Sequence, residues 1–357
     1  LANLVAVPWI SLLVLPTALL GTLLLPVPWL GETLLWVSGG LLDGLIRGLT
    51  LLAGYFSPWL PVTVPLAVWL LSAFGALLLM LPAGVILRPL GWPLVLLAVF
   101  SPREQIPRGQ VEVWQLDVGQ GLAIVLRTRN HAVLYDAGPK VRDFDQGERV
   151  VVPVLRSLGI ARLDLMLISH AHADHAGGAL AVQQEVGALR VIGGELPGLA
   201  EPLRAQPCTS GDRWEWDGVK FSLWQWSGAS DSNQRSCVMQ VEAGGERLLL
   251  TGDIDARAER ALLQTSLGVP TRWLQAPHHG SRTSSSVDLL KALAPRVVLI
   301  SRGHGNSFGH PHPQVLARYQ GLGVQILDSA EQGALRFRLG TFGKAESLRD
   351  QPRFWRD

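Results

Sequence analysis

Apolar and polar positions divide the chain into two parts with different patterns. Residues 1–31 and 48–87 are long apolar runs without a charged side chain. Because a transmembrane helix needs roughly 20 predominantly apolar residues, we predict spans at 4–25 and 62–81. A third apolar stretch, 34–56, carries opposite charges four residues apart. It either spans the membrane with that pair facing other helices or lies in the membrane interface.

The charged residues are concentrated in the second part. Only four of the 60 Asp, Glu, Lys and Arg residues lie before residue 103. We therefore predict transmembrane helices in 1–102, with 91–100 crossing only if it continues from 85–90, and a Pro-containing linker at 103–110. Residues 111–340 are numerous enough to form a core of their own, and 341–357 form a polar, loose tail. The net charge of +2 does not by itself indicate a nucleic-acid partner.

Short apolar runs in the second part alternate with helical patterns, which is typical of an α/β fold. The predicted helices are 150–158, 179–186, 256–263, 287–293 and 313–319. The predicted strands are 111–116, 122–127, 132–135, 165–168, 219–224, 237–241, 247–250, 272–275, 297–300 and 334–338.

A cluster of ionisable side chains follows the strand predicted at 165–168. Three imidazoles and a carboxylate fall within six residues, separated by alanines: His170, His172, Asp174 and His175. Imidazole and carboxylate groups bind Zn²⁺ and related hydrolytic metals. The alternative, a polar loop with incidental histidines, is disfavoured because a short apolar strand leads directly into the cluster. We expect a tight loop that directs all four groups to one place.

Two further predicted strands end in residues of the same kind. Asp253 follows the apolar run 248–250, and His278 and His279 follow 272–275. Loops at one edge of a sheet commonly build functional sites. A carboxylate between two metal ions can bridge them, and such a pair activates water and stabilises a leaving oxygen. The sequence therefore predicts a metal-dependent hydrolase.

These motifs resemble those of the metallo-β-lactamase fold. The run from His170 to His175 is similar to its HxHxDH motif, and Asp136, Asp253 and His279 resemble its other motif positions. The resemblance implies an αββα sandwich with the metal site at one edge. It also implies ligand roles, with His170 and His172 at a first metal ion, Asp174, His175 and His279 at a second, Asp253 as the bridge, and Asp174 also orienting the nucleophilic water.

One motif of that superfamily is missing. A further histidine ligand of the first ion usually lies between the positions of His175 and Asp253, and this chain has none there. Residues 232–236 stand where it is expected. We therefore expect two divalent ions, Zn²⁺ or Mn²⁺, with the first position weakly held or empty.

The residues around these motifs narrow the resemblance to the ComEC family of DNA-internalisation competence proteins. The similar segments are 116–121, 135–139, 251–254, 277–281 and 309–311. The resemblance implies the C-terminal part of a longer multi-pass protein of the inner membrane, with the metallo-domain on the periplasmic face. The implied function is DNA uptake for natural transformation, with a nuclease or phosphodiesterase degrading the strand that is not transported. The implied partners are DNA, the membrane and other uptake proteins.

Several residues suit a phosphodiester substrate. Only four of the 31 basic residues are Lys, so phosphate contacts would fall mainly to Arg, whose guanidinium can make forked hydrogen bonds. We expect His310 to contribute to catalysis by moving a proton, although a role in positioning substrate is open as well. The residues expected to contact substrate are His278, Ser281, Arg282 and Asn306.

Two other functions remain open at this point. The domain could be a different membrane-anchored hydrolase of the same fold, or a catalytically weak gating or assembly module. Cys208 and Cys237 match no metal motif; we favour buried thiols, and a disulfide is the alternative if the domain faces an oxidising space.

Overall fold

A computed structural model describes residues 2–55, 66–99, 105–199 and 201–350. The chain divides into two compact units, Leu1–Leu60 and Pro61–Asp357. The predicted domain boundaries, which place the membrane part at 1–102, remain a prediction.

The first unit is made of apolar helices. They are α1 (Ala2–Trp9), a π-helical segment (Ile10–Val14), α2 (Leu15–Leu23) and α3 (Leu30–Tyr55). Two stretches in the described residues, Val5–Leu23 and Leu30–Leu52, are long and apolar enough to cross a membrane. The helices are joined by side-chain hydrogen bonds, because Trp9 Nε1 donates to Leu41 O at 3.0 Å and Ser38 Oγ donates to Val14 O at 3.0 Å. Such bonds satisfy polar groups that lipid cannot.

The charged pair of the third apolar stretch lies on α3. Arg47 Nε is 2.8 Å from Asp43 Oδ2, one helical turn away. The two charges compensate each other on the helix surface, which lowers the cost of carrying them in an apolar helix.

The second unit begins, in its described part, with two shorter apolar helices, α4 (Leu66–Leu79) and α5 (Gly91–Val99). They pack closely through glycines, since a Cβ added to Gly91 would lie 2.5 Å from Gly75 O. Ser72 Oγ donates to Leu94 O at 2.9 Å. Of the span predicted at 62–81, residues 62–65 lie outside the described residues, and α4 itself has 14 residues, fewer than a full span requires.

Two large sheets face each other in residues 105–350. The first sheet has these strands in spatial order: β17 (Glu346–Ser347), β16 (Leu335–Leu339), β1 (Val111–Gln115), β2 (Ile124–Arg127), β3 (Ala132–Tyr135), β6 (Leu163–Ile168), β7 (Ala188–Gly193) and β8 (Gln206–Pro207). The second sheet has these: β15 (Gln325–Asp328), β14 (Val297–Ile300), β13 (Trp273–Gln275), β12 (Glu246–Leu250), β11 (Val238–Ala243), β10 (Val219–Trp224) and β9 (Arg213–Trp216). A small hairpin is formed by β4 (Lys140–Val141) and β5 (Phe144–Asp145).

Helices cover the outer face of each sheet. The remaining helices are α6 (Val152–Ser157), α7 (Ala173–Ala176), α8 (Ala179–Glu185), α9 (Ala256–Leu262), α10 (Val287–Leu293), α11 (Pro313–Gly321) and α12 (Ser329–Gln332). One buried cluster fills the space between the sheets and includes Phe221 and Trp273. A second lies between the first sheet and α6 and α8, and a third between the second sheet and α9, α10 and α11. The predicted αββα sandwich is confirmed.

Most predicted elements are present, and the differences have local causes. Among the elements that the apolar pattern did not predict are β7 and β15, whose exposed positions interrupt that pattern. The histidine loop, predicted to be tight, contains a single helical turn, α7. Part of the segment expected to be loose is paired, because β17 lies antiparallel to β16; residues 351–357 lie outside the described residues.

The two cysteines form a disulfide. Cys208 follows β8 of the first sheet, Cys237 precedes β11 of the second, and their Cα atoms are 5.9 Å apart. The favoured expectation of two buried thiols is therefore wrong. The spacing in sequence carried no information on this point, because pairing depends on how the two sheets meet.

We expect reduction of this disulfide to destabilise the domain. It closes a loop with a sequence separation of 29 residues, for which chain-entropy arguments give about 3–4 kcal/mol. The melting temperature of the full chain in detergent should therefore fall when reductant is added. The variant with Cys208→Ser and Cys237→Ser should melt at the lower temperature with or without reductant. Two titratable thiols in the untreated protein would contradict the pairing.

Candidate metal centre

The ends of parallel strands bring the predicted ligands together. In the first sheet, β3 and β6 are parallel, and they end at Asp136 and at the histidine loop. In the second sheet, β12, β13 and β14 are parallel, and they lead to Asp253, to the paired histidines and to Ser301. Both sheets thus contribute residues to one edge of the sandwich.

Four of the predicted ligands form a tight cluster. One ligand atom from each of Asp174, His175, Asp253 and His279 lies within 4.8 Å of the others. His175 Nε2 is 3.1 Å from His279 Nε2 and 3.2 Å from Asp253 Oδ1. His279 Nε2 is 3.3 Å from Asp174 Oδ2. All except Asp174 are buried. The sequence placed these four residues in one metal position, apart from the bridging role of Asp253.

The hydrogen bonds of the two buried imidazoles determine which nitrogen carries the proton. His279 Nδ1 lies 2.8 Å from the carbonyl oxygen of Ser301, which can only accept. His175 Nδ1 lies 2.7 Å from Asp136 Oδ2. Both rings therefore donate from Nδ1, and in the neutral state both present a lone pair on Nε2. The two lone pairs lie 3.1 Å apart, next to the two carboxylates of the cluster. They repel each other unless a cation lies among these groups.

The charged neighbours in the cluster shift the pKa values of His175 and Asp253 in opposite directions. Burial lowers the pKa of His175, but Asp253 and Asp136 raise it by more, so the net pKa is well above the usual value. Burial also acts against the ionised form of Asp253, but His175 and His279 keep its pKa well below the usual range. In addition, Asp253 Oδ1 is buried without a hydrogen-bond partner. These residues fit a divalent cation, which would supply the positive charge that the cluster requires.

Asp136 holds the histidine loop in position. It is fully buried, and its Oδ1 accepts from Ser169 N at 2.6 Å. Its Oδ2 accepts from Ser169 Oγ at 2.8 Å and from His175 Nδ1. Carboxylates that orient a ligating imidazole in this way raise its basicity and fix its tautomer. The sequence identified Asp136 as a motif position but gave it no such role, because an orienting contact between residues 39 apart is not visible in a linear pattern.

The other two histidines of the loop lie beside the cluster. His170 is fully buried, with Nδ1 3.1 Å from Ser169 Oγ and Nε2 4.0 Å from Asp253 Oδ2. Its Nε2 has no hydrogen-bond partner. Burial and the adjacent His175 lower the pKa of His170 to about 3, so its ring is neutral. His172 is exposed, and its ring centroid is 4.6 Å from that of His170.

A serine lies where the missing histidine was expected. Ser236 Oγ accepts from Asp253 N at 3.0 Å and lies 3.5 Å from His170 Nδ1. The side chain contacts the backbone of Asp253 and the imidazole of His170, but a hydroxyl at this position does not supply a third nitrogen ligand.

His278 and His310 lie on the open side of the cluster. His278 Nε2 is 3.7 Å from Asp253 Oδ2, and the His310 ring centroid is 5.5 Å from that of His278. The Nδ1 atoms of both rings are buried and lack a hydrogen-bond partner. Burial, together with His278 and His279, lowers the pKa of His310 to about 4.

The remaining residues expected to contact substrate differ in their exposure and in their hydrogen bonds. Arg282 is exposed, whereas Ser281 is buried and its Oγ is 3.1 Å from Thr283 Oγ1. Asn306 is engaged within its own loop, since Oδ1 accepts from His310 N at 3.0 Å and Nδ2 donates to His310 O at 2.7 Å. The geometry of Asn306 is that of a residue that positions His310.

A contact that the sequence did not predict fixes Asp174. Its carbonyl oxygen accepts from Leu122 N at 3.1 Å, and a Cβ added to Gly121 would lie 2.3 Å from it. With a φ of +148°, Gly121 is the residue that permits this close approach. This explains why a glycine stands at position 121, ahead of β2.

Comparison with known families agrees with this geometry. Residues 116–304 match the metallo-beta-lactamase superfamily. The chain belongs to this superfamily. Residues 1–84 match the Competence protein family, so the resemblance to competence proteins inferred from the motifs is confirmed.

Two curated relatives match almost the whole chain. "Competence protein ComA" of Neisseria gonorrhoeae is 36% identical over 99% of this chain and 50% of the relative. "Uncharacterized protein YcaI" of Escherichia coli is 34% identical over 99% of this chain and 47% of the relative. The chain thus spans about half the length of these relatives. Among solved structures, Igni18, a metallo hydrolase from Ignicoccus hospitalis, is 17% identical with a TM-score of 0.40, covering 63% of this chain and 98% of that one.

We expect Asp136→Asn to weaken metal binding about 10- to 100-fold, the usual effect of removing a partner that orients a ligand. Asn tolerates the φ of 57° at this position, so the change removes the charge while keeping the backbone. The measurement is Zn²⁺ or Mn²⁺ affinity by calorimetry. Asp164→Asn is the matched control, because Asp164 pairs with His131 outside the site. Equal affinities in both variants would contradict the role of Asp136.

Proposed function

We propose that the chain is part of an inner-membrane DNA uptake protein whose metallo-β-lactamase domain is a metal-dependent nuclease acting on the strand that is not transported. The observation that carries this proposal is the position of Asp253. One carboxylate oxygen faces His175 at 3.2 Å, and the other faces His170 at 4.0 Å. A carboxylate placed between two groups of imidazoles suits two divalent ions.

Two Zn²⁺ or Mn²⁺ ions would be held by the residues at this edge. His170 and His172 belong to the first position, and Asp174, His175 and His279 to the second, with Asp253 shared between them. Two adjacent metal ions would supply an activated water and stabilise the attacking and leaving oxygens of a phosphodiester.

The protein's own groups bind and orient the substrate. Asp174 is partly exposed, and its carboxylate is in position to accept a hydrogen bond from the attacking water. The His310 ring lies next to that of His278, with centroids 5.5 Å apart, and we expect it to contact an oxygen of the phosphodiester. Arg282 is exposed at the HHGS turn and can bind a phosphate in a forked arrangement. Arg302 is less suitable, because it is paired with Asp328 at 2.6 Å and Glu331 at 2.8 Å.

Three observations support the proposed location. The first residues match the competence family, two described stretches can cross a membrane, and the domain contains a disulfide. Disulfides persist in oxidising compartments such as the periplasm. We place the domain on the periplasmic face of a multi-pass membrane protein, with DNA and other uptake proteins as partners.

We expect Asp174→Asn to reduce DNA cleavage by roughly 10²- to 10⁴-fold, the range typical for loss of a group that manages proton transfer. The assay uses the full chain in detergent with Mn²⁺ or Zn²⁺ and end-labelled single- and double-stranded DNA. Asp143→Asn, an exposed residue of the β4–β5 turn, is the matched control and should cleave normally.

Two other outcomes of this assay would contradict the proposal and favour another function. Hydrolysis of a small phosphodiester without cleavage of DNA would indicate a different hydrolase of the same fold. The absence of cleavage with either metal, together with normal transformation by cells carrying Asp174→Asn, would indicate a gating or assembly module.

A further inference from the structure

The first metal position is one nitrogen ligand short. On its side of Asp253 the histidine loop supplies His170 and His172, and Ser236 stands where the superfamily's third imidazole is expected. Two imidazoles, one carboxylate oxygen and a water fill four positions of an ion such as Zn²⁺, which can expand to five, so the site still has room for the third imidazole of the superfamily pattern. Another side chain of this protein could complete the first metal position if it faces the same oxygen of Asp253.

His278 faces the same oxygen of Asp253 as His170 does. Its Nε2 is 3.7 Å from Asp253 Oδ2, and His170 Nε2 is 4.0 Å from that atom. The other oxygen, Oδ1, lies 3.2 Å from His175 Nε2 and 3.7 Å from His279 Nε2. The bridging carboxylate therefore separates four imidazoles into two pairs, and the adjacent residues His278 and His279 belong to different pairs.

The backbone conformation produces this division. His278 and His279 have φ values of 50° and 53°, a left-handed conformation that is uncommon for residues other than glycine. In a regular strand, two successive side chains would point to opposite faces. Here the turn lets both Nε2 atoms approach Asp253 from two sides. His278 N also donates to Gly252 O at 3.1 Å, which ties the turn to the segment that carries Asp253.

The imidazole of His278 contacts the rings of His279 and His310 but makes no side-chain hydrogen bond in the described structure. Its Nδ1 is buried without a hydrogen-bond partner. His175 and His279, by contrast, both have an orienting acceptor at Nδ1. A ligand without such a partner binds less tightly, so an ion held partly by His278 should be the weaker of two.

We propose that His278 supplies the missing nitrogen ligand of the first metal position, through Nε2 and together with His170, His172 and Asp253 Oδ2. This inference rests on the proposed di-metal site and reassigns His278 from substrate contact to metal binding. The first position is then a three-histidine site whose third ligand comes from the HHGS turn of the second sheet.

The test measures metal content and affinity of the full chain in detergent. His278→Asn removes the imidazole, and Asn is among the residues that best tolerate a positive φ, so the turn is retained. His304→Asn is the matched control, because His304 is exposed. Each protein is stripped with chelator, checked by circular dichroism, and titrated with Mn²⁺. Calorimetry gives the stoichiometry, and electron paramagnetic resonance detects the coupled signal of two adjacent Mn²⁺ ions.

We expect two ions in the unmodified chain and in His304→Asn, the second to load being the weaker. Loss of a ligand should cost at least as much as the 10- to 100-fold loss caused by removing its orienting partner. In His278→Asn the weaker ion should therefore bind at least about 10- to 100-fold less tightly or be lost, and the coupled signal should disappear while the tighter ion is retained. Two ions bound with unchanged affinity in folded His278→Asn would overturn the inference and leave the proposed function intact. His310→Asn is titrated in the same way, and loss of the weaker ion in that variant but not in His278→Asn would have the same meaning. A single ion in the unmodified chain would overturn the inference. No metal binding at all would overturn the proposed function as well.

Discussion

The site depends on the interaction between two buried imidazoles whose Nε2 atoms face each other. His175 and His279 each donate a proton from Nδ1 and so direct a lone pair to the same point, 3.1 Å apart. The flanking carboxylates Asp136 and Asp253 are nearly fully buried. Charges in such surroundings are costly unless they are balanced. The arrangement is stable only when positive charge lies among these groups, and a divalent cation supplies it better than a proton.

The sandwich makes this concentration of charge possible by dividing it between two sheets. The first sheet contributes Asp136 and the histidine loop, and the second contributes Asp253 and the histidine turn. Each group stands just beyond a strand end, which leaves the apolar side chains of the strands to fill the three cores. The polar groups meet only at the edge, where loops can adopt unusual conformations such as the left-handed pair at His278 and His279.

Much of this could be predicted from the sequence. The motifs identified the fold, and four of the predicted ligands came together in one cluster, because each follows an apolar strand and parallel strands end at a common edge. The orienting contact of Asp136 and the serine in place of a histidine depend on how two sheets meet, which no local pattern encodes. The same holds for the disulfide, and for His278, whose direction is set by two φ angles rather than by its position after β13.

The disulfide between Cys208 and Cys237 has a consequence for the geometry of the site. It is a covalent link between the two sheets, and Cys237 directly follows Ser236, whose hydroxyl accepts the Asp253 N–H. Cys237 N also donates to Ser169 O at 2.8 Å, next to the histidine loop. The ligands lie on opposite sides of the same junction, so any sliding of one sheet over the other would change the distances between ligands of the first sheet and ligands of the second. The cross-link thus holds the two sheets in one register at this junction. The distances between the ligands depend on that register rather than on any one loop.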